Sequence, residues 1–289
     1  MAGTAVRLRW YGALAGGLLL VACSGGGEPG EVKTPVRSPA AGATDSGPDP
    51  DDRPDTEDGR GTRPGPSATG LGFTPDPART PGTRAEALRL ARAIAGSPGL
   101  WGPGYVPRTP FESAVASWPV LDGNCVWQLQ PVPSDVLASV TRSSELPAEG
   151  GKGPVRVSAV VTVHRDAEAA DWEMAGMLEE ALRCPDQRLR SGERISGLIS
   201  TGNTYGDLSN YDAEDRLAES GEYYSDELGG PHYYFWSQAR LGQVTVAVVG
   251  KGSKGRTRDE IDGGLTQGIS EMLLRTTDEL QAPELQAPR

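Results

Sequence analysis

Between Ser24 and Gly82 the chain carries 12 glycines and 11 prolines in 59 residues, with few large apolar groups beyond Val32, Val36, Leu71 and Phe73. A segment with so little to bury cannot offset the ordering entropy of its own backbone, so it is expected to stay disordered. Any folded body is therefore confined to Thr83 through about Leu280, which holds five of the six tryptophans and seven of the eight tyrosines. As a flexible coil, the preceding segment would span roughly 40 to 45 Å on average, the reach of a tether. The closing QAPELQAPR reads as a polar tail over 281–289.

Upstream of the tether, Arg7 and Arg9 precede a 13-residue apolar run, Trp10 to Ala22, that ends at Cys23. Such a run is too short to cross a bilayer but suits the apolar region of a secretory signal, here 1–22. Leu20-Val21-Ala22-Cys23 resembles the lipobox of bacterial lipoproteins, in which the cysteine thiol takes a diacylglycerol and becomes the mature N-terminus. The resemblance implies palmitate-type acylation at Cys23 and a place on the extracytoplasmic face of the cell membrane. Two acyl chains, at about 0.8 kcal/mol per buried methylene, hold a protein there persistently. Cleavage before Cys23 removes two arginines and no acid, making a chain of net charge −11 still more acidic. So acidic a protein excludes binding to nucleic-acid phosphates and any purely electrostatic attraction to anionic lipid. The lipid must supply the attachment.

Cys125 and Cys184 remain, and a cysteine pair in an exported domain is most simply a disulfide. With only His164 and His232, and no Cys-x-x-Cys or His-x-x-x-His spacing, nothing calls for a metal or another cofactor.

Thr83-Arg84-Ala85-Glu86 is a capping box ahead of a helix, and Asn124–Gln130 alternates with Cys125, Trp127 and Leu129 on one face. Ser134 is read as the cap of a short helix through Val140. Val155, Val157, Ala159, Val161 and Val163 define a strand of period two. Asp166 starts a helix with the stripe Ala170, Met174, Met177, Leu178 and Ala181, stopped by Pro185. Ile195–Ser200 is a candidate strand. A hairpin turns at Gly242-Gln243, and a last helix carries Ile261, Leu265, Ile269, Met272 and Leu273. The expected fold class is α+β, helices packed on an antiparallel-rich sheet in one domain, 83–280.

Gly250, Gly252 and Gly255 spell Gly-x-Gly-x-x-Gly after a strand. A dinucleotide site also needs a second strand ending in an acid about 20 residues on, and Glu271 falls in the last helix instead. The motif is read as a turn, and Lys251, Lys254, Arg256 and Arg258 as a solvated basic loop or small anion site. His164 is read as a surface histidine and the acid-rich Asp207–Glu227 as a solvated loop. On a strand, His232, Tyr234 and Trp236 share one face and Tyr233 and Phe235 the other. The first three are the candidate ligand-binding residues, since amphipathic rings suit apolar or sugar-like ligands.

Taken in order, the leading helix, the Cys125 strand, VRVSAVVTVH, the helix ending in Cys184-Pro185, the ARLGQVTVAVV hairpin and the final helix resemble the extracellular sensor domain of the PknH-type mycobacterial kinases. The chain is similar as well to lipoproteins of high-GC actinobacteria such as Streptomyces. The resemblance spans about 84–278 and implies a cleft for an extracellular ligand. This chain departs from the sensors in having no kinase domain or transmembrane helix, and in forming one disulfide where they usually carry two, so any report of a bound ligand would need a partner protein. The favoured reading is a lipid-anchored, non-catalytic binding module whose partner is a small envelope ligand or an envelope protein. The alternatives are a hydrolase using Glu222, Asp226 and Glu227, and an accessory protein docking through Tyr234 and Trp236. Replacing the lipid acceptor, Cys23→Ala, is expected to release the protein from membranes or leave it unprocessed; fractionation with lipid mass analysis checks this, and unchanged membrane retention contradicts it.

Overall fold

A computed structural model of the chain describes residues 71–114, 118–190, 192–202 and 212–281. The expected signal, Cys23, the tether up to residue 70 and the tail from 282 lie outside the described residues. In chain order the elements are α1 (Arg84–Ile94), a 3-10 turn (Pro98–Trp101), β1 (Val106–Ala114), β2 (Trp118–Leu121) and β3 (Trp127–Gln130). Then come β4 (Val136–Leu146), β5 (Val155–His164), α2 (Ala167–Arg183), β6 (Gln187–Arg190) and β7 (Glu193–Gly202). The last are β8 (Asp215–Ser225), β9 (Gly229–Leu241), β10 (Val244–Lys251) and α3 (Arg258–Leu280).

Eight strands form one curled sheet in the order β1-β4-β5-β10-β9-β8-β7-β6, every neighbouring pair antiparallel. The hairpin β2–β3 stands apart as a two-stranded sheet. With three helices packed on the eight-stranded sheet, the described residues are an α+β domain.

Period-two strands give the sheet two unlike faces. Val155, Val157, Ala159, Val161 and Val163 of β5 are at most 2% exposed and join Val244, Val246 and Val248 of β10 beneath α1 and α3. The intervening Ser158, Thr162 and Thr245 turn the other way, toward α2. Burying a valine side chain contributes roughly 1.5 to 3 kcal/mol, so the α1/α3 face carries most of the stability.

The Thr83–Glu86 capping box forms, and a second one, Thr257–Glu260, opens α3. Thr83 N–H donates to Glu86 Oε2 (3.0 Å) and Glu86 N–H to Thr83 Oγ1 (3.3 Å), and Thr257 and Glu260 repeat the exchange at α3. Asp166 caps α2 by accepting from Ala169 N–H at 2.9 Å.

Four expectations are corrected. Ser134–Val140 is not a helix: from Val136 the chain is β4, held between β1 and β5. Two flanking strands satisfy its backbone and outweigh the local capping signal. Cys125 is not on a strand either, for it lies in the turn after β2 with φ 59°. That turn is tied by Asp122, whose Oδ1 accepts from Asn124 N–H (2.8 Å) and Val126 N–H (3.0 Å). Residues 71–82, placed in the tether, instead pack on the domain. Leu71 and Phe73 cover the main core, and Asp76 N–H reaches Leu280 O at 2.8 Å. Two large apolar side chains in a polar stretch are enough to anchor it. Finally, Asp215–Ser225 of the acidic segment is strand β8, while Asp207 lies outside the described residues.

Glycines in α3 show how tightly its face is packed. A Cβ on Gly268 would lie 2.2 Å from Trp101 Cζ3, whereas one on Gly263 meets nothing within 4 Å. In urea melts Gly263→Ala is expected to stabilise by roughly 0.5 to 1 kcal/mol through helix propensity. Gly268→Ala is expected to destabilise by about 1 to 3 kcal/mol, since the buried indole must shift; equal effects at the two sites contradict the packing.

Candidate functional site

The polar face of the sheet is only partly covered. The C-terminal half of α2 sits on a small apolar cluster of Ala181, Ile195, Leu198, Tyr223 and Tyr234. Ala170 and Met174 in its first half are also buried, and beside them α2 roofs a cleft of 470 Å³. Its floor is Ser139, Thr162, Thr245, Gln238 and Trp236, and its roof is Trp172, Glu173, Gly176, Met177 and Glu180. The hairpin supplies an end wall through Trp118, Val120 and Trp127.

That end wall is fastened to the roof covalently. Cys125, in the hairpin turn, is bonded to Cys184 at the end of α2, with Cα atoms 5.5 Å apart. Hydrogen bonds reinforce the attachment: Arg183 donates to Asp122 O (3.1 Å) and Leu121 O (3.4 Å), and Trp127 Nε1–H to Gln187 Oε1 (2.9 Å). A lone two-stranded hairpin is marginal in water, so these ties hold it in place. In the chain-entropy view a bridge across 59 residues stabilises by about 4 kcal/mol, less any strain.

Carboxylates dominate the electrostatics. Glu173 Oε2 lies 2.6 Å from His164 Nε2 and accepts from Thr245 Oγ1 at 2.8 Å. Glu180, two helical turns on, faces the cleft with Oε2 shielded from solvent and without a hydrogen-bond partner among the described residues. Burial raises its pKa to about 7, with Arg183 opposing and Glu179 adding to the rise. Glu219 on β8 is raised to about 7 by burial and by the nearby Glu180. At the far end of the same face, burial disfavours ionised Glu193, but Arg190 and Lys251 outweigh it and hold the carboxyl near 2.

Of the three expected ligand residues, only Trp236 lines this cleft. Tyr234, 7% exposed, belongs to the apolar cluster beneath α2. His232 is held at Leu228 O (2.8 Å), beside a separate groove with Arg256 and Arg258. His164 is not a surface residue: it is 2% exposed, because β5 is a central strand and α2 folds over its polar face.

Gly-x-Gly-x-x-Gly serves packing. A Cβ on Gly250 would meet Leu265 Cδ1 at 2.4 Å, and one on Gly252 would meet Ile261 Cδ1 at 2.8 Å. At the α3 N-terminus, where a phosphate would need free N–H groups, Glu260 accepts from Thr257 N–H and pairs with Lys152 at 2.6 Å. The basic residues there are engaged separately rather than forming one solvated loop. Lys251 turns inward to Glu193 (2.9 Å), Arg256 donates to Gly153 O (2.8 Å), and Arg258 stacks 4.6 Å over Tyr233, leaving Lys254 exposed.

Nor do the carboxylates of the acidic segment share one solvated loop. Glu227 pairs with Arg156, Glu222 accepts from Tyr224, and Asp226 packs against Gly192, so the three are engaged separately. Among the described residues no group of three or more His, Cys, Asp or Glu side chains is placed to hold a metal ion.

Sequence reasoning missed Glu173, Gly176, Glu180 and Trp172. Glu173 and Glu180 stand seven apart, beside the apolar stripe of α2, and that spacing of acids on a core-facing side was the available signal. No protein-family model matches the chain, and no curated protein matches it.

A carboxyl whose pKa is raised by folding holds its proton more tightly folded than unfolded. Stability therefore falls as pH rises from the ordinary 4.5 to about 7, and does not change further above that. Glu219→Gln is expected to raise the Tm by a few degrees at about pH 8 and to leave it nearly unchanged at about pH 4.5. A pH-independent difference in thermal melts contradicts the buried-carboxyl assignment.

Proposed function

We propose that the chain is a non-catalytic ligand-binding protein of the cell envelope, lipid-anchored at Cys23, whose site is the cleft between α2 and the sheet. The anchor rests on the apolar run and Leu20-Val21-Ala22-Cys23; among the described residues no helix is long and apolar enough to cross a membrane. Whether free in the envelope or displayed by a partner there, the ligand enters the same space.

One observation carries the reading. The face beneath α1 and α3 is filled by apolar side chains, while the face beneath α2 keeps 470 Å³ open among four indoles and a few convergent polar groups. That volume and lining are those of small-molecule sites. Gly176 supports it. A glycine inside a helix costs roughly 0.5 to 1 kcal/mol relative to alanine, and here a Cβ would meet nothing within 4 Å, so packing does not require it. It keeps the roof low in bulk above the open space.

Gly176→Phe is expected to fill the cleft without unfolding the domain, and Trp236→Ala to remove part of its floor. In a thermal-shift and tryptophan-fluorescence screen against envelope lipids, glycans and peptidoglycan fragments, a compound that stabilises the parent is expected to lose at least about tenfold in affinity with Gly176→Phe. A compound bound equally by the parent and by both variants contradicts the cleft as the site.

A further inference from the structure

Resting on that reading of the cleft, we infer that its ligand is an organic cation, an ammonium group on an apolar body, with the charge seated against Glu180 and the body against the indoles. Three features of the cleft lining carry this.

The first is charge. Among the described residues Asp135, Glu173 and Glu180 line the cleft, and no lysine or arginine does. Glu173 already has partners in His164 and Thr245; the Glu180 carboxyl takes one backbone hydrogen bond from Leu121, but its Oε2 is shielded from solvent and has no hydrogen-bond partner among the described residues. A buried carboxylate with one oxygen unsatisfied is costly to ionise, and such groups are paired or neutralised. An entering cation supplies the pairing, whereas an anion would be repelled by the three acids.

The second is the apolar lining. Trp118, Trp127, Trp172 and Trp236 come from four different elements and converge on one space. Trp172 lines the cleft from α2 while remaining 71% exposed, so its ring is open to an entering ligand. Indole faces attract cations by about 0.5 to 2 kcal/mol, more as water is removed.

The third is electrostatic surroundings. The charged groups acting on Glu180 are Glu173, Glu179 and Arg183 on its own helix and Glu219 across on β8, with His164 on the floor beside Glu173. Acids outnumber bases there, and the carboxyl holds its proton to about 7. A bound cation favours the ionised form, so binding releases a proton and strengthens from about pH 5 to about pH 8.

The test uses the chain from Ser24 to Arg289, which contains every described residue, with indole N–H resonances assigned by single Trp→Phe substitutions. Benzyltrimethylammonium is titrated beside its neutral isostere, neopentylbenzene, and the anion 3-phenylpropionate. The cation is expected to shift the Trp236 resonance with a Kd about tenfold lower than the neutral compound, as about 1.4 kcal/mol of charge recognition would give. That advantage is expected to grow toward pH 8, and to fall most of the way in Glu180→Gln while neutral binding persists. Asp135→Asn is a second variant, expected to reduce it in part. Equal or tighter binding of the neutral or anionic compound, or an advantage unchanged in Glu180→Gln, overturns the charge inference and leaves the cleft reading standing. If none of the three moves Trp236, or Gly176→Phe alters none of their shifts, both readings fail.

Discussion

The bond between Cys125 and Cys184 decides what the polar face of the sheet becomes. It joins the turn of a hairpin, tied to the eight-stranded sheet by a single bridge from Val126 to Arg188, to the end of the helix lying over that face. Both partners need the help. The hairpin has little core of its own, with Leu129 74% exposed, and α2 rests on a small apolar cluster at one end. Linked, they become the end wall and roof of one cleft. The Asp122 side chain, accepting two backbone N–H groups, places Cys125 for the bond although that residue sits at positive φ.

Division of labour between the two faces follows from alternation in the strands. Valines and alanines at odd positions of β5 meet α1 and α3 and hold the domain together. The even positions offer hydroxyls, His164 and, at the far end, Arg156. Serine and threonine there pair with one another, as Thr162 does with Ser139 at 3.1 Å, and leave room above them. Acids that would be costly in a filled core, Glu180 and Glu219, are tolerated by keeping their protons until about pH 7. The proposed cation recognition uses that same unrelieved cost.

Much of this fold is legible in the residues because the α1/α3 face is repetitive. Five small apolar residues at period two, two Thr-x-x-Glu boxes, and a Gly-led turn each encode one local structure, and each forms. The cystine is legible by arithmetic, since two cysteines follow Cys23. What is not legible depends on neighbours distant in sequence. Ser134 looks like a helix cap until β1 and β5 claim Val136 onward. His164 looks exposed until α2 returns over it, and Tyr234 and Trp236 look alike until the sheet places one in a core and the other in a cleft. The roof carboxylates are hidden differently: on a helix with an apolar stripe, Glu173 and Glu180 read as ordinary solvated acids.

Hydrogen exchange compared between the parent and a Cys125→Ser, Cys184→Ser double variant tests most directly whether the bridge builds the cleft. The account predicts that amides of 118–130 and of the second half of α2 lose protection by orders of magnitude. Those of β4, β5, β10 and β9 should be much less affected, because the valine face does not depend on the bridge. Uniform loss across the whole sheet, or no loss in the hairpin, would contradict it.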